Sequence, residues 1–317
     1  MGSYILRRIF IAIFLVIGAA TLVFGLLRAV PGDPALVFLG EYAGPEQIEA
    51  VRHQMGLDKP LLAQYGSWLL GMARGDLGNS LVSQLPVSQL IVDTVLRSAE
   101  LVVIGITLGL LIGIPIGIWS ALHRAEAVDV GMTVGSLISL STPSYVSGTV
   151  LVLLFAVHWQ WLPSSGYVSL LDDPIEHLKL LILPSVTLGS HLAATIARFT
   201  RSSVLDVIHQ DYVRTARAKG LHERQVIRRH VLRNSLLPIT TIVGLQAGHL
   251  IGGLVIIETI FAWPGLATLL FTGINTQDYP VVQGCVVVIC GLFIMINLAV
   301  DVLNGIIDPR VSQGARS

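Results

Sequence analysis

The chain reads as long apolar runs separated by short polar breaks. A helix needs roughly 20 apolar residues to cross a bilayer, and runs of that kind lie at residues 8–29, 98–121, 131–158, 180–200, 236–262 and 281–307. The fourth is interrupted by Pro184, Ser185, Ser190 and His191. The pattern predicts an all-α, polytopic membrane protein with six transmembrane helices. Its first run, from Ile9 to Leu27 behind Arg7 and Arg8, exceeds the roughly 7–15 residues of a signal-peptide core. It therefore reads as a retained anchor.

Three of the runs carry small residues at every fourth position: Gly105, Gly109, Gly113 and Gly117; Gly131, Gly135 and Ser139; and Gly244, Gly248 and Gly252. Such stripes let helix backbones approach closely in lipid, where no hydrophobic drive holds helices together. The spacing predicts a packed bundle. Between the first two runs, residues 30–97 carry helix signals of their own. Pro45 with Glu46 and Glu49 opens one helix that Gly56 stops, and Pro60 opens a second that Gly75 closes. Leu61, Tyr65, Trp68 and Met72 then share a face. A small helical region outside the bundle is expected there.

Composition agrees with the pattern. Of 317 residues, 53% are hydrophobic and 13% charged, against roughly 25% charged in a soluble domain; mean hydropathy is +0.74. Twenty basic and twenty acidic residues cancel, so net charge says nothing about partners. Cys285 and Cys290 are five apart in an apolar run and would point in different directions on a helix, which disfavours an internal disulfide or metal pair.

The placement of charge is informative. Six spans put both termini on one side. That side holds Arg7, Arg8, Arg124, Arg310 and Arg316 with nine further basic residues from Arg198 to Arg233, fourteen in all. The other side has six, five of them in or beside the long 30–97 loop, where the positive-inside rule is weak. Both termini and the basic stretch are expected in the cytoplasm.

That stretch is "YVRTARAKGLHERQVIRRHVLRNSLLP", residues 212–238. It could fix topology alone, bind anionic lipid or nucleic acid electrostatically, or dock a cytoplasmic protein. Tyr212, Thr215, Ala216 and Lys219 have helical spacing, Gly220 breaks the helix, and a second helical segment begins at Leu221. A lipid-binding tract needs charge but no glycine break. Two short helices around a glycine make a rigid knob that another protein can grip, and docking is the favoured reading.

The same stretch resembles the cytoplasmic EAA loop of permease subunits of bacterial ABC importers. Gly220 matches its glycine, and Arg214, Thr215 and Ala216 occupy the Glu-Ala-Ala positions. "RTARAKGL" is similar to the form found in the dipeptide, oligopeptide and nickel branch, although arginine replaces glutamate and Pro238 comes late. "VPGDP" at 30–34, "GLDKPLLAQYGSWL" at 56–69, "GDLGNS" at 75–80, "FAWPGL" at 261–266, "DYPVVQG" at 278–284 and "DPR" at 308–310 resemble that branch in order and spacing. The long loop after the first run is similar to the first of the two permeases such systems usually encode.

The resemblance implies the type I importer permease fold. It implies residues 1–29 as N-terminus and first span, 30–97 as an external helical region, 98–310 as a five-helix core holding the coupling loop 201–235, and 311–317 as a cytoplasmic tail. The implied partners are a second homologous permease, cytoplasmic ATPase subunits using ATP and magnesium, an external substrate-binding protein, and lipid. Coupling falls to Tyr212, Arg214, Thr215, Ala216, Lys219, Gly220 and Leu221. Trp263, Asp278 and Tyr279 in the 263–280 loop are expected to contact the binding protein. Cargo would be a di- or oligopeptide, with nickel, haem or glutathione as alternatives on the same scaffold.

Polar side chains at membrane depth are costly and often functional. Ser139, Ser141, Thr142, Ser144 and Tyr145 surround Pro143, where a kink is expected; Gln246 and His249 are neighbours on one face, and His191 stands in the fourth span. Of these, Ser141, Thr142, Ser144, Tyr145, His191, Gln246 and His249 are candidates to line a translocation path. Asn297 and Asp301 are expected to pair within the bundle or to sit near the cytoplasmic interface. No H-E-x-x-H or G-x-x-x-x-G-K-[ST] motif occurs, so a catalytic role, a metal or a bound cofactor is not expected. Two other classes make different predictions. A stand-alone channel or ion-coupled transporter needs mid-span charges, in which these runs are poor. A membrane anchor for nucleic acid predicts salt-sensitive DNA binding by the basic stretch.

Overall fold

The computed structural model describes residues 2–29, 34–39, 43–54 and 56–307. In chain order the helices are α1 (Gly2–Ala29), α2 (Pro34–Leu39), α3 (Pro45–Gln54), α4 (Leu61–Ala73), α5 (Val87–Leu122), α6 (Ala127–Ser141), α7 (Ser144–Leu151, continued by a π-turn Val152–His158), α8 (Pro174–Ile208), α9 (Asp211–Ala218), α10 (Glu223–Val226, followed by a π-turn Ile227–Val231), α11 (Leu232–Ser235), α12 (Leu237–Ile260), α13 (Leu266–Asn275) and α14 (Tyr279–Ile307). No strand occurs among the described residues. Residues 30–33, the first four of "VPGDP", and the closing "DPR" at 308–310 lie outside the described residues.

A helix falls on each expected span. Leu6–Ala29, Val87–Leu122, Pro174–Ile208 and Tyr279–Val300 are each long and apolar enough to cross a membrane. The α6–α7 pair passes the same test jointly, but bends by 102° at Thr142–Pro143. The expected kink is thus a full break, since a proline cannot donate to the i−4 carbonyl and disfavours helix in the residue before it. At 24 residues, α12 is about 36 Å long at 1.5 Å per residue, enough for a core of about 30 Å.

Two compact units make up the chain. One comprises Ala99–Trp263 with the segments up to Ile9 and from Met295. Here the first glycine stripe packs α5 on α8. A Cβ added to Gly109 would lie 2.7 Å from Leu192 Cγ, one on Gly113 2.7 Å from Ala193 O, and one on Gly117 2.5 Å from Ala197 O. On α8, a Cβ at Gly189 would meet Leu108 Cβ at 2.9 Å in return. From the third stripe, a Cβ added to Gly244 would lie 2.5 Å from Val300 Cγ1, whereas one on Gly252 would meet nothing within 4 Å among the described residues. At Gly131 and Gly135 of the second stripe an added Cβ would meet nothing within 4 Å among the described residues, while Ser139 Oγ donates to Ser190 O of α8 at 3.4 Å.

The other unit comprises the described residues of Phe10–Ser98 and Pro264–Ile294. Gly56 and Gly75 stop α3 and α4 at φ +66° and +80°, the left-handed region that glycine adopts without a Cβ clash. Helix α4 lies against α1 through Tyr65 and Trp68, whose rings sit 5.3 and 5.7 Å from Phe24; Leu61 is exposed. Val87, Ile91, Leu266, Val281 and Cys285 form the buried core. Helix α5 begins at Val87, ahead of the apolar run that the sequence reading started at residue 98, and its residues up to Ser98 belong to this unit.

Candidate functional site

The basic stretch folds as a knob. Helix α9 carries Val213 and Ala216 on its buried face, and the segment after Gly220 contributes Val226 and Val231; these join Ala121 of α5 and Val204 of α8 in one apolar cluster. Gly220 turns the chain at φ +76°. Across that turn Arg217 clamps Glu223 in a bidentate pair, Nε to Oε2 at 3.0 Å and Nη2 to Oε1 at 2.7 Å. Donated hydrogen bonds hold the Glu223 carboxyl below the usual carboxylate range and raise Arg217. Asn234 Nδ2 donates to the Tyr212 hydroxyl at 2.8 Å, closing the knob from its second half.

The expected coupling residues divide in two. Tyr212, Arg214, Thr215, Lys219, Gly220 and Leu221 are exposed and free for a partner to touch. Ala216, expected at the contact, is 6% exposed and packs inside. The helical period explains this: Val213 and Ala216 are three apart and share the inner face.

A cleft of about 620 Å³ opens in the same unit, lined by Ser144, Tyr145, His191 and Gln246 together with Leu192 and Leu250. Four of the seven path candidates thus converge. Ser141 is exposed, and Thr142 spends its hydroxyl on Ile138 O of its own helix at 2.8 Å; neither lines the cleft. The side chains of His249 and Asp301 lie outside the described residues. Helix α8 carries both His191 in the cleft and Val204 in the knob, 13 residues or about 20 Å apart along one rigid rod.

The expected binding-protein contacts are buried instead. Trp263 is 0% exposed, with Tyr167 edge-on at 4.9 Å and His177 at 5.8 Å. Asp278 caps α14, accepting from Val281 N at 3.4 Å, and also accepts from Ser80 Oγ at 2.6 Å and Leu81 N at 3.1 Å. Tyr279 is buried beside it. None of the three can touch a partner from these positions. In the same loop, α13 exposes Phe271 and Ile274, with polar Asn275, Thr276 and Gln277 following.

Two polar networks escaped the sequence reading. Arg201 Nε and Nη2 donate to Asp129 Oδ1 and Oδ2 at 2.7 and 2.8 Å, and Ser120 Oγ and Ala125 N complete the carboxylate's shell. His177, fully buried, bonds Glu100 Oε1 at 2.8 Å and Val168 O at 2.7 Å. No spacing rule joins residues 72 or 77 apart. Among the described residues no group of three His, Cys, Asp or Glu side chains could hold a metal ion.

Residues 113–313 match the family model of the binding-protein-dependent transport system inner membrane component, and residues 1–97 match the N-terminal model of the same membrane components. The chain belongs to this permease family. The permease is similar to the dipeptide transport system permease protein DppB of Escherichia coli K12, 38% identical over 98% of this chain and 99% of the relative. It is also similar to the glutathione transport system permease protein GsiC of Salmonella choleraesuis, 41% identical over the same shares. Among solved structures, an inward-facing MetNI methionine ABC transporter matches 69% of this permease and 97% of its own chain, with TM-score 0.55 and 18% identity. That match concerns the fold. This permease is a multi-pass membrane subunit of an ABC importer, and the likeness to permease subunits gives it a transport role.

Proposed function

We propose that this permease imports di- or oligopeptides as one half of a pseudo-symmetric pair with a second permease. Both termini and the knob at 211–235 lie in the cytoplasm, where ATPase subunits grip the exposed face of α9. A binding protein delivers cargo from outside, and α13 with Phe271 and Ile274 is the surface offered to it. The observation that carries the proposal is the shared role of α8. One helix supplies Val204 to the knob and His191 to the cleft, so movement forced on the knob by ATP-driven closure of its partner reaches the cleft without an intervening joint. The chain has no phosphate-cradling motif of its own, so hydrolysis belongs to those partners.

The cleft suits peptide cargo. His191, Gln246, Ser144 and Tyr145 offer hydrogen bonds among apolar walls, enough to replace part of a peptide's hydration without holding it. Tight binding at this depth would slow release. The resemblance to a dipeptide permease along nearly the whole chain supports this cargo. The likeness to a glutathione permease supports a second reading, a modified tripeptide on the same path.

The test is purification of the tagged permease from its native membrane in mild detergent, with partners identified by mass spectrometry. An ATPase and a second permease should co-purify, and Gly220→Pro should release the ATPase alone. Recovery of the permease without either partner would overturn the proposal.

A further inference from the structure

Within the unit that holds α4 and the start of α14, a cavity of about 420 Å³ is lined by Arg28, Lys59, Gln64, Trp68, Asp76 and Gln283, among others. Its lining shares no residue with the cleft or the knob. Arg28 stands in the last turn of α1, at the end of a membrane-length apolar helix, where an arginine reaches the headgroup layer. Its Nε donates to Gln64 Oε1 at 3.1 Å, and its guanidinium carbon sits 4.9 Å from the Phe24 ring centre. Gln64 is itself fixed, its Nε2 donating to Lys59 O at 2.8 Å. This arrangement holds the guanidinium plane while its two terminal nitrogens find no acceptor among the described residues.

The second observation is independent. Gln283, on α14, is 6% exposed, and its Nε2 has no hydrogen-bond partner. A buried amide left without an acceptor is costly and calls for an occupant. Lys59 adds positive charge at the rim. Asp76 is the acid among the lining residues, and its Oδ1 is engaged by Gly78 N at 2.9 Å. Donors therefore outnumber acceptors in a site too polar for an alkyl chain.

We propose that this cavity binds an oxyanion, a carboxylate or a phosphate, between the Arg28 guanidinium and the Gln283 amide. A planar guanidinium takes such a group through two parallel hydrogen bonds. The source is either the phosphate of an anionic lipid headgroup, whose chains would follow the exposed Leu26 and Leu22 of α1, or a free anion from solution.

The test measures the thermal unfolding midpoint of the purified, delipidated full chain in detergent. Four additions are compared: phosphatidylglycerol, phosphatidylcholine, inorganic phosphate and acetate. Phosphatidylglycerol raising the midpoint more than phosphatidylcholine identifies the lipid source; phosphate or acetate alone raising it identifies the free anion. In either case Arg28→Gln should weaken binding about tenfold or more, as loss of a charge-assisted contact does. Because Arg28→Gln could also disturb α1, Gln283→Leu carries the decision. Removing an unsatisfied amide should leave the ligand-free midpoint unchanged or higher while binding weakens. No stabilisation by any of the anions, or equal stabilisation of wild type and Gln283→Leu, would overturn the proposal.

Discussion

Replacing Gly117 with alanine tests the packing that holds α5 on α8. The new methyl would sit 2.5 Å from Ala197 O and 2.6 Å from Thr200 Cβ. Both are rigid parts of a helix, and ordinary contact begins near 3.4 Å, so the helices must part by about 1 Å. Overpacking of this kind costs roughly 1–3 kcal/mol. Alanine also favours helix over glycine by up to about 1 kcal/mol, which offsets part of that cost. Gly131→Ala separates the two effects, because its methyl meets nothing within 4 Å. Unfolding of the isolated chain in mixed micelles, followed by circular dichroism, should show Gly117→Ala less stable than Gly131→Ala by about 1–3 kcal/mol. Equal stabilities would mean that α5 and α8 are not in this register.

Three further outcomes follow from the knob and the loops. Ala216→Glu, which puts a charge into the cluster of Val213 and Val226, should raise hydrogen exchange throughout 211–231, whereas Arg214→Glu on the exposed face should leave exchange unchanged and lower partner-dependent ATP hydrolysis. The Glu223 carboxyl is held below its ordinary range by Arg217, so the clamp persists from neutral pH down past the usual carboxylate pKa of about 4.3 and is lost on further acidification. Glu223→Gln should loosen α9 by no more than about 1 kcal/mol at neutral pH and make no difference once acid has broken the clamp, read by exchange of the amides on either side of Gly220. Asp278→Ala leaves Ser80 Oγ and Leu81 N without their acceptor; at about 1–3 kcal/mol for each buried group, the 78–86 segment should become open to limited proteolysis.

Much of this fold was legible because membrane burial demands long apolar runs and close helix contact demands small residues. Gly105 to Gly117 illustrate the second demand: spacing alone marked the face that meets α8. The same spacing at Gly131 and Gly135 marks positions where an added Cβ meets nothing within 4 Å among the described residues, and spacing does not say which neighbour a stripe awaits. The start of α5 was missed because Ser88, Gln89, Asp93, Thr94 and Arg97 dilute its first turns. Helix there rests on packing of Val87 and Ile91 against Val281 and Cys285, contacts between distant parts of the chain. Trp263 and Asp278 were read as surface because they stand in a loop. The sequence did hold a signal for Asp278: an acid before an apolar run, with proline two residues on, is a helix N-cap. For Asp129 with Arg201, and for His177 with Glu100, no local pattern exists, because the fold alone brings them together.

The central claim is that the exposed face of α9 is gripped by an ATPase whose motion α8 carries to the cleft. Its most direct test is a cysteine at Lys219, next to the Gly220 turn, in a chain whose native Cys285 and Cys290 are buried and half-buried. In native membranes a short thiol–amine cross-linker should join Lys219→Cys to an ATPase subunit, with a yield that changes on adding ATP. A cross-link that forms equally with and without ATP, or none to an ATPase while the permease still moves peptide into vesicles, would contradict the account.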